Sequence, residues 1–222
     1  MKPFRAKEPS PSGARGRQHE IRSFKKGELL FIQGQPPDGV FALREGRVKV
    51  SICTRSGKLT ILTIAEVGDL MGLAPVIASV DHDSTAEALE DCRADLICRN
   101  ELLDKFERDP RAARDALVGL SRLCLAERQI IALLANSDPV FVRLARLLLG
   151  WSENGNGGRL RVRNAFTHQQ IGEMIGTTRE SVTRALRDMR ERDLVTLKGD
   201  DLVIHDRDRL RLVTGPYDLS RL

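Results

Sequence analysis

One short segment near the C-terminus carries the side chains best suited to specific chemistry, Arg179, Glu180 and Arg184. Arginine presents a planar fork that matches the O6 and N7 acceptors of guanine, and a carboxylate accepts a hydrogen bond from the N4 amino group of cytosine. In a helix Glu180 and Arg184 lie one turn apart, so the acid could also hold the arginine in position. These residue types at this spacing predict base reading in the DNA major groove.

The sequence around these residues predicts two helices joined by a tight turn. Thr167 is followed three residues later by Gln170, and Thr177 by Glu180, and each pair fits a capping box at a helix start. Gly176 suits the left-handed turn that ends a short helix. Apolar residues at helical spacing give each helix an inward face, namely Ile171, Met174 and Ile175, then Val182, Ala185, Leu186 and Met189. The segment therefore predicts a helix-turn-helix.

Polar residues near both helix starts are candidates for phosphate contacts, because hydroxyls, amides and backbone N–H groups meet phosphates there. These candidates are Thr167, His168, Gln169, Thr178 and Ser181. The alternative is that the charged residues form a solvated, salt-bridged helix face. DNA binding is favoured over this alternative because two capped helices surround the motif and a basic chain carries it.

Composition and charge agree with a polyanionic partner. The 222 residues include 36 Lys and Arg against 31 Asp and Glu, a net charge of +5. The excess lies in residues 1–20 and 138–222. The sequence has no apolar run of the roughly 18 residues that a membrane helix needs, and its N-terminus has no apolar signal segment. We therefore expect a cytoplasmic protein without a membrane partner.

No pattern in the sequence predicts an enzyme, a cofactor or a metal centre. It contains no nucleophile elbow, no phosphate-cradling Gly-Lys-Ser/Thr loop and no HExxH motif. The four cysteines, Cys53, Cys92, Cys98 and Cys124, are scattered without a CxxC motif, which indicates reduced thiols. We expect no catalytic residues and no metal ligands.

The motif T-x-x-x-I-G-x-x-I-G-x-x-R-E-S-V-x-R, from Thr167 to Arg184, resembles the DNA-binding motif of the CRP/FNR superfamily of bacterial transcription regulators. The resemblance implies that Arg179, Glu180 and Arg184 read the bases of a TGTGA-like half-site in a two-fold symmetric operator. It also implies that Lys198 touches phosphate from a wing, and that RNA polymerase is a partner.

Residues 21–108 show short β-type runs separated by glycine turns, which predicts a jelly-roll-like β-roll. The order Gly27-Glu28, Gly34, Val40-Phe41, Gly46 and Gly68-Asp69 is similar to the cyclic-nucleotide-binding domain of the same superfamily. We thus expect an α+β protein with five parts: a disordered basic tail (1–20), the β-roll sensor (21–108), a dimerisation helix (109–136), a winged helix-turn-helix (137–214) and a C-terminal tail (215–222).

The roll departs from the cAMP-binding pattern. In cAMP-binding members a Gly-Glu pair holds the ribose and an Arg-Ser pair the phosphate, whereas here Leu73 follows Gly72. The Arg-Ser position falls on His82-Asp83 or Asp83-Ser84, which removes the arginine and places an acid that repels phosphate. We therefore do not expect ordinary cAMP control. The candidate effector pocket comprises Met71, Gly72, Leu73, His82, Asp83, Ser84, Thr85, Glu127 and Arg128.

Other kinds of effector stay open, including a cyclic nucleotide held differently, an unidentified small molecule, or none. A redox or gas sensor is a further alternative. A haem would need an axial ligand such as His82, Cys53 or Met71, but no spacing favours one of them. A single histidine in a loop is expected to be solvated.

A coiled-coil seam precedes the DNA-binding segment. Residues repeat at alternating spacings of four and three along it: Ala113, Leu117, Leu120, Cys124, Glu127, Ile131 and Leu134. A buried core helix of the monomer is the alternative, and the resemblance favours pairing of two subunits, with Glu127 and Arg128 forming an ion pair across them. Asn136 to Pro139 predicts a hinge, followed by a helix over Val140–Trp151, a strand over Leu160–Val162 and a wing turning at Gly199-Asp200.

Overall fold

The computed structural model describes residues 20–55, 57–135, 138–151, 153–154, 160–162, 166–198 and 201–214. The chain divides into two compact units, one ending at Ala126 and one running from Glu127 onward. The predicted tails (apart from Glu20), the first two residues of the predicted hinge (Asn136 and Ser137) and the Gly199-Asp200 turn lie outside the described residues.

The N-terminal unit is built on two four-stranded antiparallel sheets. One has the order β1-β8-β3-β6 and the other β2-β7-β4-β5. The strands are β1 Glu20–Phe24, β2 Leu29–Phe31, β3 Val40–Glu45, β4 Val48–Cys53, β5 Leu59–Ala65, β6 Leu70–Met71, β7 Thr85–Ala88 and β8 Cys92–Ile97. Strands that are distant in the chain pair within each sheet, β1 and β3 with β8, and β2 and β4 with β7, while β4 and β5 are consecutive neighbours, so the topology is that of a jelly roll. The predicted β-roll is confirmed.

Alternating side chains from both sheets meet in one apolar core. The ring of Phe41 on β3 stacks against Phe31 on β2, with 6.1 Å between centroids, and Phe24 on β1 approaches it edge-on. Gly46 turns the chain between β3 and β4 with φ +85°, and a Cβ there would lie 2.5 Å from the sulfur of Cys92. The hairpin can therefore close on β8 only with glycine at this position.

A second apolar cluster lies beneath three helices of the same unit. These are α1 Leu73–Ala78, α2 Arg99–Arg108 and the long α3 Pro110–Ala135, which begins in this unit. The cluster joins the roll to the first turns of α3 through Val40, Leu73, Val76, Ile97, Leu102 and Ala116, with Leu120 at its edge. The sequence therefore predicted the long helix correctly, and its start is anchored on the roll.

The C-terminal unit is a winged helix-turn-helix. Its elements are α4 Val140–Trp151, β9 Glu153–Asn154, β10 Leu160–Val162, α5 His168–Ile175, α6 Arg179–Glu191, β11 Val195–Lys198, β12 Asp201–Ile204 and α7 Arg207–Thr214. The sheet has the order β11-β12-β10-β9, α5 packs on α6, and α7 packs on α4. The fold class expected from the sequence is confirmed, with α7 as an additional helix that the sequence analysis did not predict.

Candidate nucleic-acid interface

The first helix of the motif begins at the predicted capping box. The hydroxyl of Thr167 accepts from the Gln170 amide at 3.2 Å, and the Gln170 side chain accepts from the Thr167 amide at 2.9 Å. The helix ends at Gly176, whose φ of +67° lies in the left-handed region. Both predictions from the sequence are confirmed, so the start and end of α5 are fixed by local hydrogen bonds and by glycine.

The second helix begins one residue later than predicted. Thr178 is the N-cap, and its hydroxyl accepts from the Ser181 amide at 3.3 Å. The prediction that Thr177 caps this helix was wrong, because the Thr177 amide donates to the Gly172 carbonyl at 2.8 Å and so completes the turn that ends α5. Arg179 is therefore the first residue of α6.

Close packing at one glycine sets how tightly the turn approaches α5. A Cβ on Gly172 would lie 2.7 Å from the carbonyl oxygen of Thr177 and 3.4 Å from the carbonyl carbon of Thr178. Both neighbours are backbone atoms, which cannot move aside as a flexible side chain can. Glycine at this position therefore fixes the spacing between the two helices of the motif.

We expect Gly172→Ala to lower the free energy of unfolding of the C-terminal unit by about 1–3 kcal/mol, the usual cost of overpacking. Fluorescence of Trp151, the single tryptophan, reports on this unit because its ring lies 4.7 Å from that of Phe166. Urea unfolding followed at this tryptophan measures the loss. Gly150→Ala is the matched control, since a Cβ there meets nothing within 4 Å. Equal stability of the two variants would contradict the packing argument.

Buried side chains fix the orientation of the second helix. Val182 and Met189 of α6 and Ile175 of α5 are fully buried. Arg143 on α4 donates to the carbonyl of Ile175 and, at 3.4 Å, to that of Gly176, which ties the turn to α4. The apolar face of α6 is therefore held inward, and its opposite face is left exposed.

The three predicted base-reading residues lie together on that exposed face. Arg179, Glu180 and Arg184 are all exposed on the first turns of α6. The guanidinium of Arg184 donates to the Ser181 hydroxyl at 3.2 Å, so serine positions this arginine. The pKa of Glu180 is lowered, first by its own backbone amide, then by the Thr178 hydroxyl, with smaller contributions from the two arginines. Glu180 is therefore an ionised acceptor flanked by two forked donors.

The predicted phosphate contacts surround this face. Thr167, Gln169, Thr178 and Lys198 are exposed, and His168 and Ser181 are partly buried. Gln169 donates to Glu173 at 2.9 Å along α5. Lys198 is the last residue of β11, and it lies opposite Asp201 of β12 in the strand register of the wing hairpin. The sequence analysis missed Thr183, which contacts His168, because a threonine inside a helix carries no capping or packing pattern.

One residue of the predicted effector pocket, His82, lies in an environment that the sequence did not predict. His82 is 3% exposed, so the expectation that it is solvated was wrong. Its ring stacks on Phe31 at 4.1 Å, and Gly72, with φ +75°, leaves room for it, since a Cβ there would lie 3.0 Å from His82 Cε1. Burial lowers the pKa of His82, against the opposing charges of Asp83, Asp38 and Asp81. A neutral imidazole therefore fills this part of the roll.

The remaining predicted pocket residues differ in burial. Met71 lies in the apolar core, and Leu73 is buried where α1 begins. The buried Ser84 hydroxyl donates to exposed Asp83 at 2.9 Å, and the Thr85 hydroxyl accepts from the Gln33 amide at 3.0 Å. On α3, Glu127 is half-buried and Arg128 exposed. Whether these residues share one pocket stays a prediction.

In the part of the chain that the structure describes, we find neither a metal site nor a membrane-spanning helix. Those residues hold no group of three or more His, Cys, Asp or Glu side chains placed to bind a metal ion. Cys53, Cys98 and Cys124 are exposed, and burial raises the pKa of the Cys92 thiol. None of the described helices is long and apolar enough to cross a membrane.

Two family models match the chain, one on each unit. The model described as a cyclic nucleotide-binding domain matches residues 21–109, and the model described as a Crp-like helix-turn-helix domain matches residues 142–213. Together they include the β-roll and the helix-turn-helix.

Whole-chain relatives agree with both models. The chain is 29% identical over 210 residues to the "CRP-like cAMP-activated global transcriptional regulator" of Mycobacterium tuberculosis, covering 93% of each chain. It is 28% identical over 203 residues to "Electron transport regulator A" of Shewanella oneidensis, covering 90% of this chain and 80% of the relative. The solved structure of FixK2 from Bradyrhizobium japonicum matches with a TM-score of 0.74 and 23% identity, covering 87% of this chain and 96% of that one. The chain therefore belongs to the CRP/FNR superfamily of transcription regulators.

Proposed function

We propose that this regulator is a homodimer that reads a TGTGA-like palindrome through α6. The observation that carries the proposal is the exposed row of Arg179, Glu180 and Arg184 on a helix whose opposite face is fully buried. Two forked donors and one ionised acceptor match the guanine and cytosine edges of such a half-site. Two copies of the helix, related by a two-fold axis, would read its two halves.

Phosphate contacts set the register of the bases against α6. The exposed residues at the two helix starts lie where backbone N–H groups and hydroxyls meet phosphates, and Lys198 extends the contact from the wing. These groups supply affinity without sequence information, whereas α6 supplies the discrimination. We further propose that the bound dimer controls transcription through RNA polymerase in the cytoplasm and needs no resident cofactor.

The proposed dimer contact is an apolar stripe along α3. Leu117 and Ile131 are each 64% exposed, and Cys124, between them at a spacing of seven residues, is also exposed. Leu120, another predicted seam residue, packs at the edge of the roll's second cluster, and the side chain of Leu134 lies outside the described residues. Exposed leucine and isoleucine at heptad spacing are typical of a helix that pairs with a second copy.

We expect Leu117→Glu to weaken the dimer, because it places a carboxylate in the centre of an apolar contact between two identical helices. Sedimentation velocity should show a shift from dimer to monomer, with circular dichroism unchanged. Arg122→Glu, on the opposite side of α3 and also exposed, is the matched control and should stay dimeric. A dimer of unchanged affinity in Leu117→Glu would place the subunit contact elsewhere.

We propose that ordinary cAMP does not control this protein. At the position that resembles the phosphate site, the described residues offer Asp83, to which Ser84 already donates, and His82, which is buried and stacked on Phe31. A phosphate diester there would face a carboxylate instead of a guanidinium, which is unfavourable. A cAMP-activated regulator is the second candidate, favoured by the similarity to the cAMP-activated regulator of Mycobacterium tuberculosis.

Selection of binding sites from a pool of random duplexes tests the base-reading proposal without assuming an operator. We expect purified protein, without added nucleotide, to enrich a two-fold symmetric sequence with TGTGA-like arms. Enrichment of an unrelated sequence would contradict the assignment of Arg179, Glu180 and Arg184. A single arm without its inverted partner would contradict the dimer instead.

A further inference from the structure

A chain of hydrogen bonds links the two helices of the motif at their DNA-facing starts. His168 Nδ1 lies 2.8 Å from the Thr183 hydroxyl oxygen, and that hydroxyl donates to the carbonyl of Arg179 at 2.9 Å. His168 is the first residue of α5, and Thr183 follows Arg179 by one turn of α6. The imidazole is therefore tied to the turn that carries the first base-reading residue.

The direction of these hydrogen bonds decides which nitrogen of His168 carries hydrogen. A hydroxyl has one hydrogen, and the hydrogen of Thr183 is donated to the Arg179 carbonyl. In its contact with His168 the hydroxyl must accept, so the hydrogen lies on Nδ1. A neutral imidazole with hydrogen on Nδ1 has a bare Nε2, which accepts hydrogen bonds and cannot donate one. Only the imidazolium donates from both nitrogens.

We propose that His168 binds a DNA phosphate through Nε2–H only as an imidazolium, so that each subunit takes up one proton at His168 on binding DNA. The inference rests on the proposed DNA-binding function and deepens it by making affinity depend on pH. His168 is partly exposed at the N-terminus of α5, where phosphates meet helix starts. Thr183 is a positioning residue, because it holds the ring with Nε2 directed away from α6.

The DNA phosphate itself couples protonation of His168 to DNA binding. An arriving phosphate supplies the negative charge that stabilises the imidazolium. The charged groups on the elements that pack here are Glu173 on α5, Arg179, Glu180, Arg184, Arg187, Asp188, Arg190 and Glu191 on α6, and Arg143 and Arg146 on α4. Of these, Glu173 accepts from Gln169, and Arg143 donates to the Ile175 and Gly176 carbonyls.

The test measures operator affinity of the full-length protein between about pH 6 and about pH 8, the range in which histidine titrates. At fixed ionic strength we expect wild-type affinity to rise about tenfold or more as the pH falls across this range. The slope of log affinity against log salt should also steepen by about two per dimer, one for each new phosphate contact. His168→Gln should bind weakly at every pH, and His168→Arg tightly at every pH.

Two further measurements separate this mechanism from a structural role of His168. Thr183→Val keeps the shape of the side chain but removes the hydroxyl, so we expect an unchanged fold and a smaller dependence of affinity on pH. Nitrogen chemical shifts of His168 in the free protein at high pH should place the hydrogen on Nδ1. Hydrogen on Nε2 would overturn the inference, because the neutral ring could then donate to phosphate.

The outcomes distinguish this inference from the proposed function. Operator binding with the same dependence on pH in wild type and His168→Gln would overturn the proton uptake and leave the regulator assignment intact. Absence of any sequence preference at every pH would overturn both.

Discussion

We expect the replacement of Arg179 by alanine to lower the preference for the correct operator by about 1–3 kcal/mol per half-site, which corresponds to roughly 5- to 150-fold in affinity. The guanidinium lies exposed at the first position of α6, where it can donate two hydrogen bonds to one guanine. Alanine should leave that base unread, while the helix keeps its Thr178 cap. Anisotropy titrations of variant and wild type on the operator, and on operators changed at single base pairs, measure the loss.

The pattern of that loss matters more than its size. Discrimination should disappear at one base pair of each half-site and persist at the others. Arg108→Ala is the control, since Arg108 is an exposed arginine of the N-terminal unit, paired with Asp104 at 3.7 Å. It should leave affinity and specificity unchanged. If Arg179→Ala weakened all sequences equally, the arginine would be a phosphate contact and not a base reader.

Replacing Asp138 by alanine should lower the free energy of unfolding of the C-terminal unit by about 2–4 kcal/mol. Arg146 on α4 is 8% exposed; it donates to Asp138, two residues before α4 begins, and, at 2.9 Å, to the carbonyl of Thr214 at the end of α7. Without the carboxylate, a buried guanidinium loses its compensating charge. Because Asp138 is itself partly exposed, water offsets some of this cost.

Urea unfolding followed at Trp151 measures that change, with two comparison variants. Asp138→Asn keeps an acceptor and should lose less than Asp138→Ala. Glu191→Ala removes an exposed partner, paired with Arg187 at 3.4 Å, and should change stability by at most about 0.5 kcal/mol. If Asp138→Ala were as mild as Glu191→Ala, Arg146 would not hold α4 and α7 together.

Local patterns in the sequence predicted the elements whose causes are local. The capping box at Thr167, the left-handed Gly176 and the apolar faces of α5 and α6 are each set by residues a few positions apart. The exposed face of α6 follows from the same spacing, so the positions of Arg179, Glu180 and Arg184 could be predicted before any tertiary contact was known.

Features that depend on distant contacts could not be predicted in this way. His82 was expected to be solvated, but Phe31, some fifty residues earlier in the chain, provides the ring that covers it. Thr177 was assigned as a cap, but its amide is already used by the Gly172 carbonyl. The contact between His168 and Thr183 joins two helices and leaves no trace in the local pattern. Each miss comes from a tertiary partner that the local sequence does not contain.

The most direct test of the central claim is fluorescence anisotropy of the purified protein on a TGTGA-type palindrome and on a scrambled duplex of equal length, at fixed salt and with and without cAMP. We expect a strong preference for the palindrome without nucleotide, and no change when cAMP is added. Equal affinity for both duplexes in both conditions would contradict base reading by α6 at such an operator. A preference that arises only with cAMP would support base reading and contradict the account of the pocket around His82 and Asp83.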